Sequence, residues 1–369
     1  MSIIANIGMD VHTTNYTLCA YSFESQEAFA KTQIKPDINE LVKYLTKLQK
    51  HLGEEAKLVC GYEAGGLGYS LYHQLTERGY KCVILAPSTI PKSVADQAFK
   101  DDWRDAVRIA ECLTYGTYKS VYVPDDNDIA VKEYIRMRDG VKTLVKQTKQ
   151  RIIAFYHRYG ILYQGTPWTQ KHFKWLRSLE WKHPLEKEAF EEEIITLEQL
   201  LAKIERYDRK IEEIAQTDRY AEKVNHLCCF KGIRTHTALS HIVEVSDFRR
   251  FPSAEKFAAF LGLVPGRHDS SDKRGKRPIS KTGNSHLRRL LIESAQSFCK
   301  GTAGRKSKAL KERQQGNSPE IIAYADRANE RLSRKYRQIA MRSSANVAKT
   351  AVAREMACFI WGMMNEKYN

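Results

Sequence analysis

Residues 262–289 read Gly-Leu-Val-Pro-Gly-Arg-His-Asp-Ser-Ser-Asp-Lys-Arg-Gly-Lys-Arg-Pro-Ile-Ser-Lys-Thr-Gly-Asn-Ser-His-Leu-Arg-Arg, which sets two adjacent hydroxyls, Ser270 and Ser271, among eight Lys or Arg and two Asp. Any polyanion docked there brings a phosphate to a serine. A basic loop that only grips a nucleic-acid backbone has the same composition, so the loop alone leaves nucleophile and grip both open. Four acids elsewhere bear on the choice. Asp10 closes a first apolar run, Glu63 closes a later one before Gly65-Gly66, and Asp102 and Asp105 stand three apart at the head of a helix reaching about Tyr115. Positions i and i+3 share a helix face. Mg²⁺ takes hard oxygen ligands, often one or two carboxylates plus phosphate and water, so acids gathered from two strand ends and one helix would suit it. Singly, each acid is equally explained as a turn residue or a helix N-terminal charge.

The whole-chain balance favours a polyanionic partner. Sixty Lys and Arg against 44 Asp and Glu leave a net charge of +16 over 369 residues, and 42% apolar residues suffice for real cores. A basic membrane-surface protein is the rival, weakened because the longest apolar runs, such as residues 357–364, fall far short of the ~20 needed to span a bilayer. The first ten residues lack a basic segment and a small-residue cleavage site, so a cytoplasmic, nucleoid-associated protein is expected. Eight scattered cysteines contain no Cys-x-x-Cys pair and read as reduced core thiols.

The elements that must position these groups follow from periodicity. Residues 3–11 and 16–23 suggest a hairpin, Ile38–Leu52 a helix (Leu41, Tyr44, Leu45, Leu48), Lys57–Glu63 a strand, 67–78 a helix stopped by Gly79, and Lys81–Leu85 a strand. This order predicts an α/β domain over residues 1–124, with functional groups at its strand ends. Residues 125–225 read as helical. A basic amphipathic stretch, 131–159, is interrupted at Gly140, and 168–181 forms a short aromatic helix or turns. Phe190, Leu197, Ile204 and Ile211 then recur every seven residues, with Leu200, Tyr207 and Ile214 three residues after the last three of them. That is a heptad seam over 185–216, which either folds onto 131–159 or pairs with another protomer. Residues 226–369 form a mainly α domain. It opens with a glycine turn, 229–239, like half of a helix-hairpin-helix whose turn amides hold a DNA phosphate. Ser253 is expected to cap a helix over 254–261, Asn284 or Ser285 the helix after the serine loop, and Val347, Val352, Ala353, Met356, Ile360 and Trp361 to fill the core of a helical ending.

Six motifs then occur in order: Ile7-Gly8-Met9-Asp10, Tyr62-Glu63-Ala64-Gly65, Lys100-Asp101-Asp102-Trp103-Arg104-Asp105-Ala106, Lys231-Gly232-Ile233, Phe257-Ala258-Ala259-Phe260-Leu261-Gly262-Leu263-Val264-Pro265 and Ile279-Ser280-Lys281-Thr282-Gly283-Asn284. Across nearly the whole chain this succession resembles the DEDD transposases of the insertion-sequence 110 family, with an ending closer to its 1111 group. The resemblance implies a RuvC-like (RNase H-like) catalytic domain at 1–124, a coiled-coil arm within 125–225, and a C-terminal transposase domain at 226–369 with a nucleophilic serine. The family's acidic tetrad falls on Asp10, Glu63, Asp102 and Asp105, and its serine on Ser270, although Ser271 stands where the family has glycine. It further implies donor and target DNA selected by a structured non-coding bridge RNA.

Joining the two sites gives a mechanism. A serine hydroxyl is a weak nucleophile at neutral pH, and Mg²⁺ held by the tetrad would activate it and offset charge on the phosphate. The serine would keep that phosphate as a covalent ester, conserving the phosphodiester energy during strand exchange. Lys231, Gly232, Arg234, Arg267, Lys273, Arg274, Lys276, Arg277, Lys281 and Arg288 are the candidate nucleic-acid contacts, and cutting several strands implies a homodimer or tetramer. Two other readings remain: a metal-dependent junction resolvase or nuclease using water as nucleophile, and a non-catalytic nucleic-acid-binding protein.

Overall fold

The computed structural model describes residues 4–53, 55–90, 101–266, 278–300 and 304–368. It divides into two compact units, Met1–Val123 and Pro124–Asn369. Among the described residues no helix is long and apolar enough to cross a membrane.

The first unit is α/β. Its strands are β1 (Ile4–Val11), β2 (Tyr16–Tyr21), β3 (Ala28–Ile34), β4 (Lys57–Glu63) and β5 (Lys81–Leu85), in the sheet order β3-β2-β1-β4-β5. β1 pairs antiparallel with β2 and parallel with β4, which pairs parallel with β5. Strand alternation sends Ile7, Met9, Leu18, Cys60 and Tyr62 to one face, where Leu41, Leu45 and Leu48 of helix α1 (Ile38–Leu52) and Leu71 and Leu75 of α2 (Ser70–Glu77) cover them. The opposite face takes α3 (Asp102–Tyr115), whose Ala106 and Ala110 pack with Cys19 and Tyr21. Sequence periodicity passes over β3. That strand lies at the sheet edge with half its residues in water, so it lacks the apolar run that marks its neighbours.

The second unit is helical. Asp125 caps α4 (Asp126–Arg158) by accepting from the Asp128 amide at 3.0 Å, and the helix runs without a break through Gly140, where the sequence suggests an interruption. A short α5 (Gln170–Arg177) leads to α6 (Pro184–Ala215), which packs back along α4. Val145, Ile152 and Tyr156 of α4 meet Phe190, Ile194 and Leu197 of α6. The seam is therefore covered within the chain. Its every-seventh-residue row is buried at Phe190, Leu197 and Ile211, whereas Leu200, Ile204 and Ile214 are only half-buried and Ile194 and Ala215 complete the contact. Leu197→Ala should cost about 2–5 kcal/mol through transfer and cavity terms. Thermal unfolding followed by circular dichroism is the measurement, with an unchanged mass in light scattering.

Beyond this hairpin come α7 (Ala221–Cys228), α8 (Thr235–Val245), α9 (Ala254–Phe260), α10 (Ser285–Ala295), α11 (Lys308–Gln314), α12 (Pro319–Arg342) and α13 (Ala345–Met364). Ser253 and Asn284 cap α9 and α10. The core of this unit includes Val352, Ala353, Met356, Ile360 and Trp361. Val347 does not join them: it sits in the exposed first turn of α13 at 51% accessibility. Six of the eight cysteines are buried, Cys358 is half-buried and Cys299 is exposed.

Candidate functional site

The acids of the first unit meet because a helix sits unusually close to the sheet. A Cβ on Gly8 would lie 2.0 Å from the Ala106 carbonyl oxygen and 2.5 Å from the Ala110 nitrogen, so only glycine lets α3 rest on β1 there. Gly61 on β4 stands under Leu113 in the same way, at 2.7 Å from its Cδ1. Asp102 is one helical turn before Ala106, and Asp10 is two residues beyond Gly8; the crossing therefore brings the two carboxylates together. Asp101 caps α3 by accepting from the Trp103 amide at 3.0 Å, which leaves Asp102 and Asp105 in the first turn. β1 and β4 are parallel neighbours inside the sheet with Met9 opposite Tyr62, so Asp10 and Glu63, the next residues along, lie at the same C-terminal end of the two strands.

Among the described residues, Asp10, His12 and Asp102 form a group with one ligand atom from each within 4.8 Å of the others. His12 Nε2 stands 3.1 Å from Asp10 Oδ2 and 3.8 Å from Asp102 Oδ1. Desolvation raises the Asp10 pKa; the charge and hydrogen bond of His12 oppose it, and Asp102 and Asp105 add to it. Asp105 itself faces Arg108 Nη1 at 3.2 Å. Of the four expected acids, then, Asp10 and Asp102 lie together, Asp105 acts on Asp10 through its charge, and Glu63 ends the strand beside that of Asp10. His12 is not among the residues expected from the sequence; its only signal there is a ring nitrogen two residues past an acid at a strand end. Two carboxylates and an imidazole fit a divalent cation.

Gly8→Ala forces α3 off the sheet. Overpacking of this kind costs about 1–3 kcal/mol, and it should weaken Mn²⁺ binding, read by calorimetry, more than Gly66→Ala does. A Cβ on Gly66 would meet nothing within 4 Å, so that substitution is the control.

In the second unit, Arg267, Ser270, Ser271, Lys273, Arg274, Lys276 and Arg277 lie outside the described residues. The stems that flank them are built as a short ladder. The Gly266 amide donates to Pro278 O at 3.1 Å, Ser280 to Val264 O at 2.8 Å and Lys281 to Gly262 O at 3.2 Å. Gly262 (φ +66°) and Gly283 (φ +94°) make the crossing possible, since a Cβ on either would fall 2.1 Å from the Thr282 or Phe260 carbonyl oxygen. Among the other expected contacts, Arg234 is exposed just before α8, while Arg288 donates to Leu261 O at 3.0 Å. Lys231 is engaged inside its unit: its amide donates to Asn329 Oδ1 and its ammonium to Lys300 O, each at 2.8 Å. Gly232 packs on Ser294, so the glycine turn leans on the chain's own helices.

Carboxylates clustered where a helix crosses a mixed sheet, in a chain of net charge +16, define a candidate divalent-metal site in a protein suited to polyanions. The family model DEDD_Tnp_IS110, described as a transposase, matches residues 7–161, and the model described as Transposase IS116/IS110/IS902 family matches 224–310. The transposase for insertion sequence element IS1533 of Leptospira borgpetersenii is 31% identical over 338 residues, covering 90% of this chain and 96% of that protein. A putative transposase, y4qE, of Sinorhizobium fredii is 31% identical over 83% of this chain and 75% of its own length. The transposase for insertion sequence element IS1111A of Coxiella burnetii is 33% identical over a shorter stretch, 33% of this chain and 34% of its own. The chain belongs to the insertion-sequence 110 family of transposases. It is a transposase, an enzyme that acts on DNA, of a family that implies a divalent metal.

Proposed function

We propose that this transposase cuts and rejoins DNA through a covalent phosphoserine on Ser270, with Mg²⁺ held by Asp10, Glu63, Asp102 and Asp105 on a RuvC-like domain. The observation that carries the reading is the meeting of Asp10 and Asp102 over the glycine crossing, in a chain where the segments on either side of residues 267–277 pair through backbone hydrogen bonds. When bound, the metal supplies charge neutralisation at the phosphate. The serine Oγ forms a bond to phosphorus while the bond from phosphorus to a DNA oxygen breaks. The serine proton leaves to a base, and the departing DNA hydroxyl takes one up. A DNA hydroxyl from the partner strand then reverses the step, so no external energy is consumed. The basic residues of the loop, with Lys281 and Arg234, hold the phosphate backbone.

The same reading assigns target choice to a structured non-coding RNA and the working form to a homodimer or tetramer, with the α4–α6 hairpin as its coiled-coil arm. Denaturing electrophoresis of the protein with nicked substrate DNA in Mg²⁺ is the test. A covalent protein–DNA band is expected; strand cutting without that band favours water as nucleophile, and no cutting at all favours a binding protein.

A further inference from the structure

The return stem of the serine loop runs into a buried charge network that the proposed chemistry does not use. His286, the second residue of α10, is 14% exposed. Its Nε2 stands 2.8 Å from Asp139 Oδ2 on α4, and its Nδ1 stands 3.1 Å from Glu244 Oε1 on α8. A neutral imidazole has one donor and one acceptor nitrogen, so a carboxylate at each nitrogen is satisfied only by the imidazolium.

Both carboxylates are otherwise fully engaged. Asp139 also receives Arg138 Nη1 at 3.1 Å and Arg289 Nη2 at 2.5 Å, and His236 Nε2 lies 3.0 Å from its Oδ1. Glu244 receives Arg136 Nε and Nη2 at 2.8 and 2.9 Å and Asn284 Nδ2 at 2.8 Å. Asp208 of α6 holds Arg138 from the far side at 2.7 Å. His241, fully buried beside this group, has its pKa pulled down to about 4 by desolvation and is neutral at physiological pH. Burial opposes charge on His286, but its bonds to Asp139 and Glu244 outweigh that and raise its pKa. Burial likewise opposes charge on Glu244, yet bonds from His286, Arg136 and Asn284 hold its pKa down at about 2.

Replacing a buried ionic cluster by apolar packing is often neutral or stabilising, so net stability alone does not account for this one. It grips Asn284, the cap of α10, and His286 in its first turn, directly after the stem whose amides at Ser280, Lys281 and Asn284 pair with Val264, Gly262 and Phe260. We propose that His286, clamped as an imidazolium between Asp139 and Glu244, is a positioning residue that fixes the return stem of the serine loop for attack. This rests on the reading of the loop serine as nucleophile.

The test compares His286→Gln with wild type in the full chain by hydrogen exchange at residues 278–284, covalent adduct formation on nicked DNA, and DNA affinity. A glutamine donates to one carboxylate only. The expected result is faster exchange in the stem and adduct formation slowed about a hundredfold, the scale of a small misplacement of a reacting group. DNA affinity should stay within about twofold, or ~0.4 kcal/mol.

The wild type supplies an arm that needs no variant. A raised folded-state pKa means the clamp is fully present below the ordinary histidine value of 6.5 and is lost as pH rises through the raised value. Stem protection, corrected for intrinsic exchange, should therefore fall in one step above 6.5. Unchanged exchange and adduct formation in His286→Gln overturn the proposal, as does an adduct loss matched by the loss of DNA binding. Should His286→Gln fail to fold, wild-type protection that is independent of pH overturns it. If the wild type forms no adduct at all, the serine reading fails and the exchange data alone judge the clamp.

Discussion

Asp10→Asn and Asp102→Asn should each lower strand cleavage by about 10²–10³-fold, the scale seen when one preorganised electrostatic group is removed from a phosphate- or oxyanion-stabilising site. Asp10 is the deeper of the two, with its side chain 16% exposed against 36% for Asp102, so its loss should be the larger. EDTA should reproduce the effect in the wild type. The metal-free protein should behave oppositely in stability. Burial, Asp102 and Asp105 raise the Asp10 pKa, so the folded state holds that proton more tightly than the unfolded chain does. The charge on Asp10 therefore costs stability as pH rises from the ordinary 3.8 through its raised value, and the full cost is present at neutral pH. Asp10→Asn removes it. The apo variant should melt at the same temperature as wild type or higher at pH 7, with the gap closing in acid. A large fall in melting temperature would assign Asp10 to a structural ion pair with His12 instead.

Ser270→Ala should abolish both the covalent protein–DNA species and strand exchange while leaving nucleic-acid affinity within about twofold, because one hydroxyl is lost and no charge changes. Ser271→Ala should retain measurable recombination. The contrast separates nucleophile from grip: a loop that only held the backbone would lose little from either substitution, since its affinity comes from Lys and Arg. An adduct that survives Ser270→Ala and disappears in Ser271→Ala transfers the role to the neighbouring hydroxyl.

The groups legible in the sequence are those announced by local period. Asp10 and Glu63 close apolar runs, and Asp102 and Asp105 open an amphipathic helix with Asp101 as its cap, so their places at strand ends and a helix head can be read directly. The closeness of Asp10 to Asp102 cannot. It depends on Gly8 meeting Ala106 and Ala110, a contact between residues about a hundred positions apart that leaves no local trace. His12 escapes notice because a single ring after a strand has no period. His286, Asp139 and Glu244 escape it for a stronger reason: 147 residues separate Asp139 from its histidine, and each acid reads in sequence as an ordinary solvated helix charge. The heptad period marks the correct face of α6 at Phe190, Leu197 and Ile211, but it does not say that α4 of the same chain covers it.

Mass spectrometry of the protease-digested adduct, formed on nicked DNA in Mg²⁺ by wild type and by Asp10→Asn, tests whether Ser270 and the acidic site act together. A nucleotide phosphate on the peptide that contains Ser270, at its hydroxyl, abundant in wild type and nearly absent in Asp10→Asn, is the predicted result; DNA cut by the wild type with no modified peptide would contradict it.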